Sequence, residues 1–353
     1  MVKQRDIAKA LGISIGTVDR ALHNRGRIDK TTQRKVLKTA ESMGYRTNLA
    51  ARALALGRRL RVSVNLPREI AYFYDEVRAG IQSEYETIAQ DALNLEFRTF
   101  PRLGVGEQEA FKEALDAGVH GIIAAFGHLS DLPSLMERAT LQKVKVLNVV
   151  TGTSQGLGIS TVSNNPRSSG ATAAGLIAGF TRGGGTVAVE TGDLETWEHR
   201  EKVNSFRASL KKLRPELRVL PAIETNDLPE VAYRETLRLI DEHEDLNAYY
   251  VSTSNSLAII KALKARKLLG KIVLITTDLS PGLLPHVRTG KVTATIHERP
   301  QVQGELALRS IYEMLSEYKC PLKHLLLQPH VVMGANLDEF LAKPSNGADP
   351  VRR

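Results

Sequence analysis

The sequence predicts an α/β protein in two parts: a small amino-terminal unit of three helices, and behind it two lobes of parallel sheet covered by helices. Three observations carry this. Residues 1–61 hold 15 Lys plus Arg against 4 Asp plus Glu, a net of +11 out of the chain's +9, which leaves −2 for the other 292 residues. Over that basic stretch apolar residues recur at helical spacing. From Leu60 the pattern changes to short apolar runs alternating with amphipathic stretches, the order of a parallel sheet with helical crossovers. At 353 residues the chain is too long for one core and suits one small and two larger units.

The segment DIAKALGISIGTVDRAL, residues 6–22, reads as two short helices joined by a turn. Ile7, Ala8 and Leu11 share one face, Gly12 supplies the left-handed residue that ends the first helix, and Ser14 caps the second. Val18, Ala21 and Leu22 bury the second helix and leave Ile15, Gly16, Thr17, Asp19 and Arg20 near its exposed start. A helix-turn-helix offers its second helix to the DNA major groove in this way. A third helix is expected over residues 32–43, capped by Asp29 or Thr31, with Val36, Leu37, Ala40 and Met43 inward. A basic amino-terminal sixth on a nearly neutral body is the footprint of a phosphate-backbone binder.

Cys320 is the sole cysteine, so an intrachain disulfide and a thiol zinc site are excluded. The sequence has neither a signal-peptide pattern nor an apolar run of membrane-spanning length, so a cytoplasmic, nucleoid-associated protein without a membrane partner is expected.

In order and spacing, DIAKALGIS, TVDRAL, TTQRKVL and MGYRTNLAARAL resemble the lactose-repressor (LacI) family of bacterial transcription regulators. The resemblance implies that Ser14 to Thr17, Arg20 and His23 face DNA. Gly16 has no side chain with which to read a base. Asp19 stands where the family has a small hydroxyl residue; it would be repelled by phosphate, accept from a cytosine amino group, or orient Arg20 or a neighbouring basic side chain. The segment NLAARALALG, residues 48–57, is too short to hold a helix alone in water. The resemblance implies a hinge helix that pairs with its twin from a second chain on DNA, inserting Leu54 into the minor groove with Asn48 and Arg52 nearby. A plain linker helix with Leu54 packed on its own domain is the other reading.

Strand-like runs follow at RVSVNL, LEFRTF, GIIAAF, VKVLNVV, GTVAVE, LRVLPA, NAYYVST and KIVLITTD. About eight such units are too many for one small sheet, so two lobes are expected, divided near residues 160–165, with a ligand at the carboxyl ends of the strands in the cleft between them. The segment VLITTDLSPGLLPHVRTGKVTATIHERPQVQGELALRSIYEML resembles the second lobe and return crossover of the periplasmic sugar-binding-protein fold, so the resemblance runs from about Asp6 to Phe340. It implies a headpiece over 1–46, a hinge over 47–59 and an effector domain over 60–341. Lobe 1 is expected at about 60–160 plus 292–322, and lobe 2 at about 161–291 plus 323–341. The polar tail 342–353 is expected to be disordered.

For the cleft, the resemblance implies that Phe73 and Tyr74, seven and six residues before Gly80, stack on sugar rings, although aromatics in AYFYDE equally suit a core. Asp278 closes the strand KIVLITTD and is the first candidate to accept from ligand hydroxyls. Ser254 and Asn255 end another strand and either point inward or cap the next helix. Where relatives carry an arginine four residues before an aromatic, this chain has Lys202 before Phe206, with Arg200 and Trp197 close by. Where sugar-binding relatives carry glutamine after TATI, it has Glu298, and two carboxylates favour a polyhydroxylated or cationic ligand over an acid sugar. Phe126, His128, Thr151 and Asn165 follow other strand ends.

An enzyme reading finds little support. GFTRGGGT follows a helix and precedes a strand, the wrong order for a phosphate loop, and HExxH, GxSxG and GxxxxGK[ST] do not occur. The acidic run DEHED at 241–245 suits a solvated helix end better than a metal site. The expectation is a homodimeric, repressor-type regulator on a near-palindromic operator, controlled by a sugar or polyol, with neither catalytic residues, metal nor cofactor. Two other readings are a cytoplasmic sugar-binding sensor that binds nucleic acid without sequence preference, and a sugar-modifying enzyme.

Overall fold

The computed structural model describes residues 2–23, 28–45, 59–128, 132–152, 158–253, 255–316 and 324–342. The side chain of His23, the hinge residues Asn48, Arg52 and Leu54, then Ser254, Cys320 and the tail from Lys343 lie outside the described residues.

The headpiece consists of α1 (Gln4–Leu11), α2 (Ile15–His23) and α3 (Lys30–Ser42). Gly12, at φ 63°, ends α1, and the Ile13 amide then reaches the Ala8 carbonyl at 3.1 Å. Ser14 Oγ accepts from the Thr17 amide at 3.1 Å and starts α2. Asp29 takes the same role for α3, accepting from the Thr32 amide at 2.7 Å, so that helix starts two residues earlier than its apolar pattern indicates. Ile7, Ala8, Val18, Ala21, Leu22, Val36 and Ala40 are buried between the three helices, with Leu37 and Met43 packed against them.

The body begins with β1 (Leu60–Pro67), α4 (Ala71–Glu84), β2 (Leu93–Phe100), α5 (Glu107–Asp116), β3 (Gly121–Ala124), α6 (Pro133–Leu141), β4 (Lys145–Val150) and β5 (Ser160–Asn164). It continues through α7 (Pro166–Phe180), β6 (Gly185–Thr191), α8 (Trp197–Leu213), β7 (Leu217–Val219), β8 (Ile223–Glu224), α9 (Pro229–Glu242), β9 (Leu246–Val251), α10 (Ser256–Ala265), β10 (Val273–Thr277), α11 (Leu284–Arg288) and β11 (Ala294–His297). Last come α12 (Pro300–Ser316), β12 (His324–Leu327), β13 (His330–Val332) and α13 (Leu337–Ala342).

Two sheets form, in the orders β12-β5-β4-β3-β1-β2 and β13-β11-β10-β9-β6-β7, with β8 paired to β6. All pairs are parallel except β11 with β13. In each sheet the strand order reverses next to its first strand, so the crevice outside the carboxyl ends lies at a topological switch point. Inner strands such as β1, β6 and β9 are buried on both faces, which is why they read as continuous apolar runs, whereas the edge strands β2 and β12 are partly exposed.

The lobe boundaries differ from those the sequence suggests. Residues 160–164, expected as the divide, form β5 inside the first sheet. Residues 294–297, placed with lobe 1, form β11 of the second sheet, because their backbone pairs in parallel with β10. Residues 324–327, placed with lobe 2, form β12 beside β5. The chain therefore crosses between sheets after Asn164, after His297 and after Leu327. The last two crossings are hidden in sequence because apolar content does not say which sheet edge a strand joins.

On its return, α12 packs on α4 through facing glycines. A Cβ on Gly304 would lie 2.1 Å from the Val77 carbonyl oxygen, and one on Gly80 would lie 1.9 Å from that of Gln301. Gly170 of α7 lets α8 approach in the same way, its absent Cβ facing the Lys202 carbonyl at 2.2 Å. This approach seats the first turns of α8 against the second sheet, where they enter the cleft.

Candidate functional site: an acidic cleft behind a basic headpiece

Strand ends from both sheets enclose a cavity of about 40 Å³, room for about three water molecules. The wall from the first sheet is apolar and aromatic: Ile70, Phe73, Tyr74, Leu103 and Val150, with Thr151 as its polar member. The wall from the second sheet carries charge: Glu198, His199 and Lys202 on α8, Asp227 after β8, Asp278 after β10 and Glu298 after β11, with Ser252, Thr253 and Thr277. Four of these residues hold left-handed backbone: Ile70 at φ 55°, Val150 at 72°, Asp227 at 57° and Asp278 at 60°. Strain of this kind, costing about 1–3 kcal/mol per residue, persists where the surroundings enforce it and clusters at ligand sites.

Lys202 organises the charges. Its Nζ lies 2.5 Å from Glu198 Oε1 and 2.8 Å from Glu298 Oε1, and donates to the Ser252 carbonyl at 3.2 Å. Burial pulls the lysine down, but the two glutamates more than offset this and hold its pKa well above the usual value. Burial pushes Glu198 up despite the lysine. Glu298 also accepts from Asn164 at 3.3 Å and Ser169 at 3.2 Å. Asp278 accepts from the Glu298 amide at 2.8 Å, yet burial, then the Glu298 charge, raise its carboxyl far above the usual range.

Of the expected ligand residues, Phe73, Tyr74, Thr151, Lys202, Asp278 and Glu298 converge on the cavity. Phe73 and Tyr74 are also buried core residues, in edge-to-face contact at 5.2 Å. The others do different work. Phe126 is buried against Phe111, ring centroids 5.4 Å apart. Asn165 caps α7, accepting from Arg167 at 3.1 Å and Ser168 at 3.2 Å. Asn255 stands at the N-cap position of α10 without a side-chain cap bond and outside the cavity lining, and its side chain donates to Glu190 at 3.2 Å and Thr225 at 3.0 Å. Arg200 is turned to the carbonyls of Leu194 and Glu195 at 2.6 and 3.3 Å. Trp197 lies against Gly152, and His128 reaches across to Asp193 at 2.6 Å, so both bridge the lobes.

On the headpiece, Ser14, Ile15, Gly16 and Arg20 are exposed at the start of α2, and Thr17 is half-buried. Arg20 donates to Thr17 Oγ1 at 3.3 Å and has its guanidinium over Gly16, where a Cβ would meet it at 3.6 Å. Asp19 accepts from the Gln4 side chain at 3.2 Å, tying α2 to α1. Thr17 thus takes part in orienting Arg20.

A family model described as periplasmic binding protein domain matches residues 63–319, and one for bacterial regulatory proteins of the lacI family matches residues 4–48. This chain belongs to the periplasmic binding protein domain family and carries a lacI-type regulatory domain at residues 4–48. It is 36% identical over 77 residues to catabolite control protein A of Priestia megaterium, a stretch covering 22% of this chain and only 23% of that relative. Over 262 residues it is 25% identical to the HTH-type transcriptional regulator DegA of Bacillus subtilis, covering 74% of the chain and 76% of the relative. Among solved structures, an Agrobacterium vitis solute-binding protein with bound D-fucose superposes with TM-score 0.75 at 18% identity, covering 80% of this chain and 98% of the other. A Burkholderia graminis solute-binding protein in complex with D-arabinose gives 0.72 at 21%, covering 79% and 96%. At such identity these two likenesses speak for the fold alone.

Within the periplasmic binding protein domain, sequence reasoning missed Glu198, His199 and Asp227. The first carried a signal, since Glu198 stands four residues before Lys202 on one helix face. Asp227 carried none, because β8 is two residues long and shows no apolar run.

Proposed function

We propose that this chain is a sequence-specific, DNA-binding transcriptional repressor, working as a homodimer in the cytoplasm, whose operator affinity is set by a sugar or polyol in the cleft. The observation that carries this reading is the convergence in one chain of a recognition helix with an exposed start on a basic headpiece and a cleft lined by strand-end carboxylates and an aromatic pair. Carboxylates accept from ligand hydroxyls, and flat aromatic faces suit the apolar faces of a sugar ring. A cavity of about 40 Å³ is too small for a ring, so the lobes must open to admit one and close on it with altered geometry. Residues 46–58 connect that motion to the headpiece. Pairing of two such hinges, with Leu54 wedged into the minor groove between headpieces on adjacent half-sites, would couple the cleft to DNA.

The test is selection of a binding site from random duplexes, followed by titration with and without ligand. A near-palindromic site is expected, with ligand changing operator affinity and operator changing ligand affinity by the same factor. The reading fails if unrelated DNA competes equally at physiological salt, or if saturating ligand and saturating operator leave each other's dissociation constants unchanged.

A further inference from the structure

The charge balance of the cleft specifies its ligand more narrowly. Glu198, Asp227, Asp278 and Glu298 line the cavity against one lysine. The three donors of Lys202 are committed to Glu198, Glu298 and the Ser252 carbonyl, so none remains for the two aspartates. The ring nitrogens of His199 are directed elsewhere than Asp227: Nδ1 lies 3.1 Å from the Asp193 amide and 3.2 Å from the Asp193 carbonyl, and Nε2 lies 3.6 Å from Glu198. Asp227 is only 8% exposed, lines the cavity, and its Oδ1 has no hydrogen-bond partner among the described residues. A buried carboxylate without a cation costs several kcal/mol and is relieved by a proton or by an arriving positive charge. A hydroxyl would donate one hydrogen bond and leave the charge; an ammonium brings three donors and neutralises it. Phe73 and Tyr74 across the cavity add aromatic surface, which favours a cation over a neutral group.

We propose that the ligand is a polyol carrying a protonated amine, an amino sugar or aminated polyol, with Asp227 receiving the ammonium and Asp278 beside it. This rests on the reading of the cleft as a sugar or polyol site and narrows it. Burial and the Glu298 charge favour a proton on Asp278, which an ammonium arriving beside it displaces, so binding releases a proton and tightens as pH rises while the amine stays protonated. The groups that face this exchange are Glu298, Lys202 and Glu76.

The experiment is calorimetric titration of the full chain with matched triplets of hexoses and polyols, each as free amine, parent hydroxyl compound and N-acetyl amide, glucosamine, glucose and N-acetylglucosamine among them, at about pH 5 and about pH 6.5, where the amine keeps its proton. At least one free amine is expected to bind tenfold or more tightly than both neutral counterparts. Its heat should depend on the buffer, as proton release requires, and Asp227→Asn should abolish the preference. The wild-type comparison needs no variant, so misfolding of Asp227→Asn would not blunt it. A neutral member binding as well as its amine overturns the inference and leaves the sugar or polyol reading standing. Silence across the whole panel overturns both.

Discussion

His128 Nε2 lies 2.6 Å from Asp193 Oδ2, and this contact ties the turn after β3 in one lobe to the turn after β6 in the other. The turn that carries His128 is itself fixed by Glu107, whose buried carboxylate accepts from the amides of Gly104 at 3.1 Å, Gly127 at 2.8 Å and His128 at 2.8 Å. The latch therefore joins two rigid bodies rather than two loops. His128→Ala removes a hydrogen bond to a charged group, worth about 1.5–3 kcal/mol. The open form should gain population, read as a larger radius of gyration in solution scattering; an unchanged curve would remove the latch.

Lys202→Met leaves Glu198 and Glu298 buried without their cation. Breaking one side of such a cluster costs about 3–5 kcal/mol, whereas Lys202→Met combined with Glu198→Gln and Glu298→Gln should recover most of the loss. Chemical denaturation of both variants checks this, and a mild single variant would refute the bookkeeping.

Glu190 supplies the pH dependence. Burial, aided by Asp227, pushes its carboxyl up to about 7 from 4.5 in spite of hydrogen bonds from Thr225 and Asn255. The folded state thus holds this proton more tightly than the unfolded state, so its stabilising contribution is full below about pH 4.5 and is lost as pH rises to about 7. Glu190→Gln, which keeps the acceptor and drops the charge, should gain up to about 3 kcal/mol at pH 8 and almost nothing at pH 5. Equal gains at the two pH values would contradict this origin.

Arg20→Ala should weaken specific binding to the selected operator by about 1–3 kcal/mol and change the preferred sequence, measured by fluorescence anisotropy. If affinity and preference both survive, the docking of α2 is wrong. Leu54→Ala offers an independent check on the hinge, since an unchanged DNA bend removes the wedge.

Gly304→Ala places a methyl group against the Val77 carbonyl where no side chain can yield, so α4 and α12 must part. A loss of about 1–3 kcal/mol is expected from thermal unfolding.

By itself the sequence determined the parts of this protein whose cause is local. Helical and strand periodicity, Gly12, Ser14 and Asp29 specify the headpiece and most of the alternating elements, because caps and periods act within a few residues. The strand-end rule found Asp278, since a carboxylate closing an apolar strand faces the crevice wherever the sheet goes, and the family resemblance pointed to Glu298. Three matters were decided only in three dimensions. Which sheet receives β11 and β12 depends on pairing between strands far apart in the chain. Lys202 lines the cavity as expected, but only packing of α8 through Gly170 set its amine between Glu198 and Glu298. Asp227, on a turn with no motif, has an Oδ1 without a hydrogen-bond partner among the described residues, because the groups packed around a buried carboxylate, rather than its neighbours in sequence, decide whether it is satisfied.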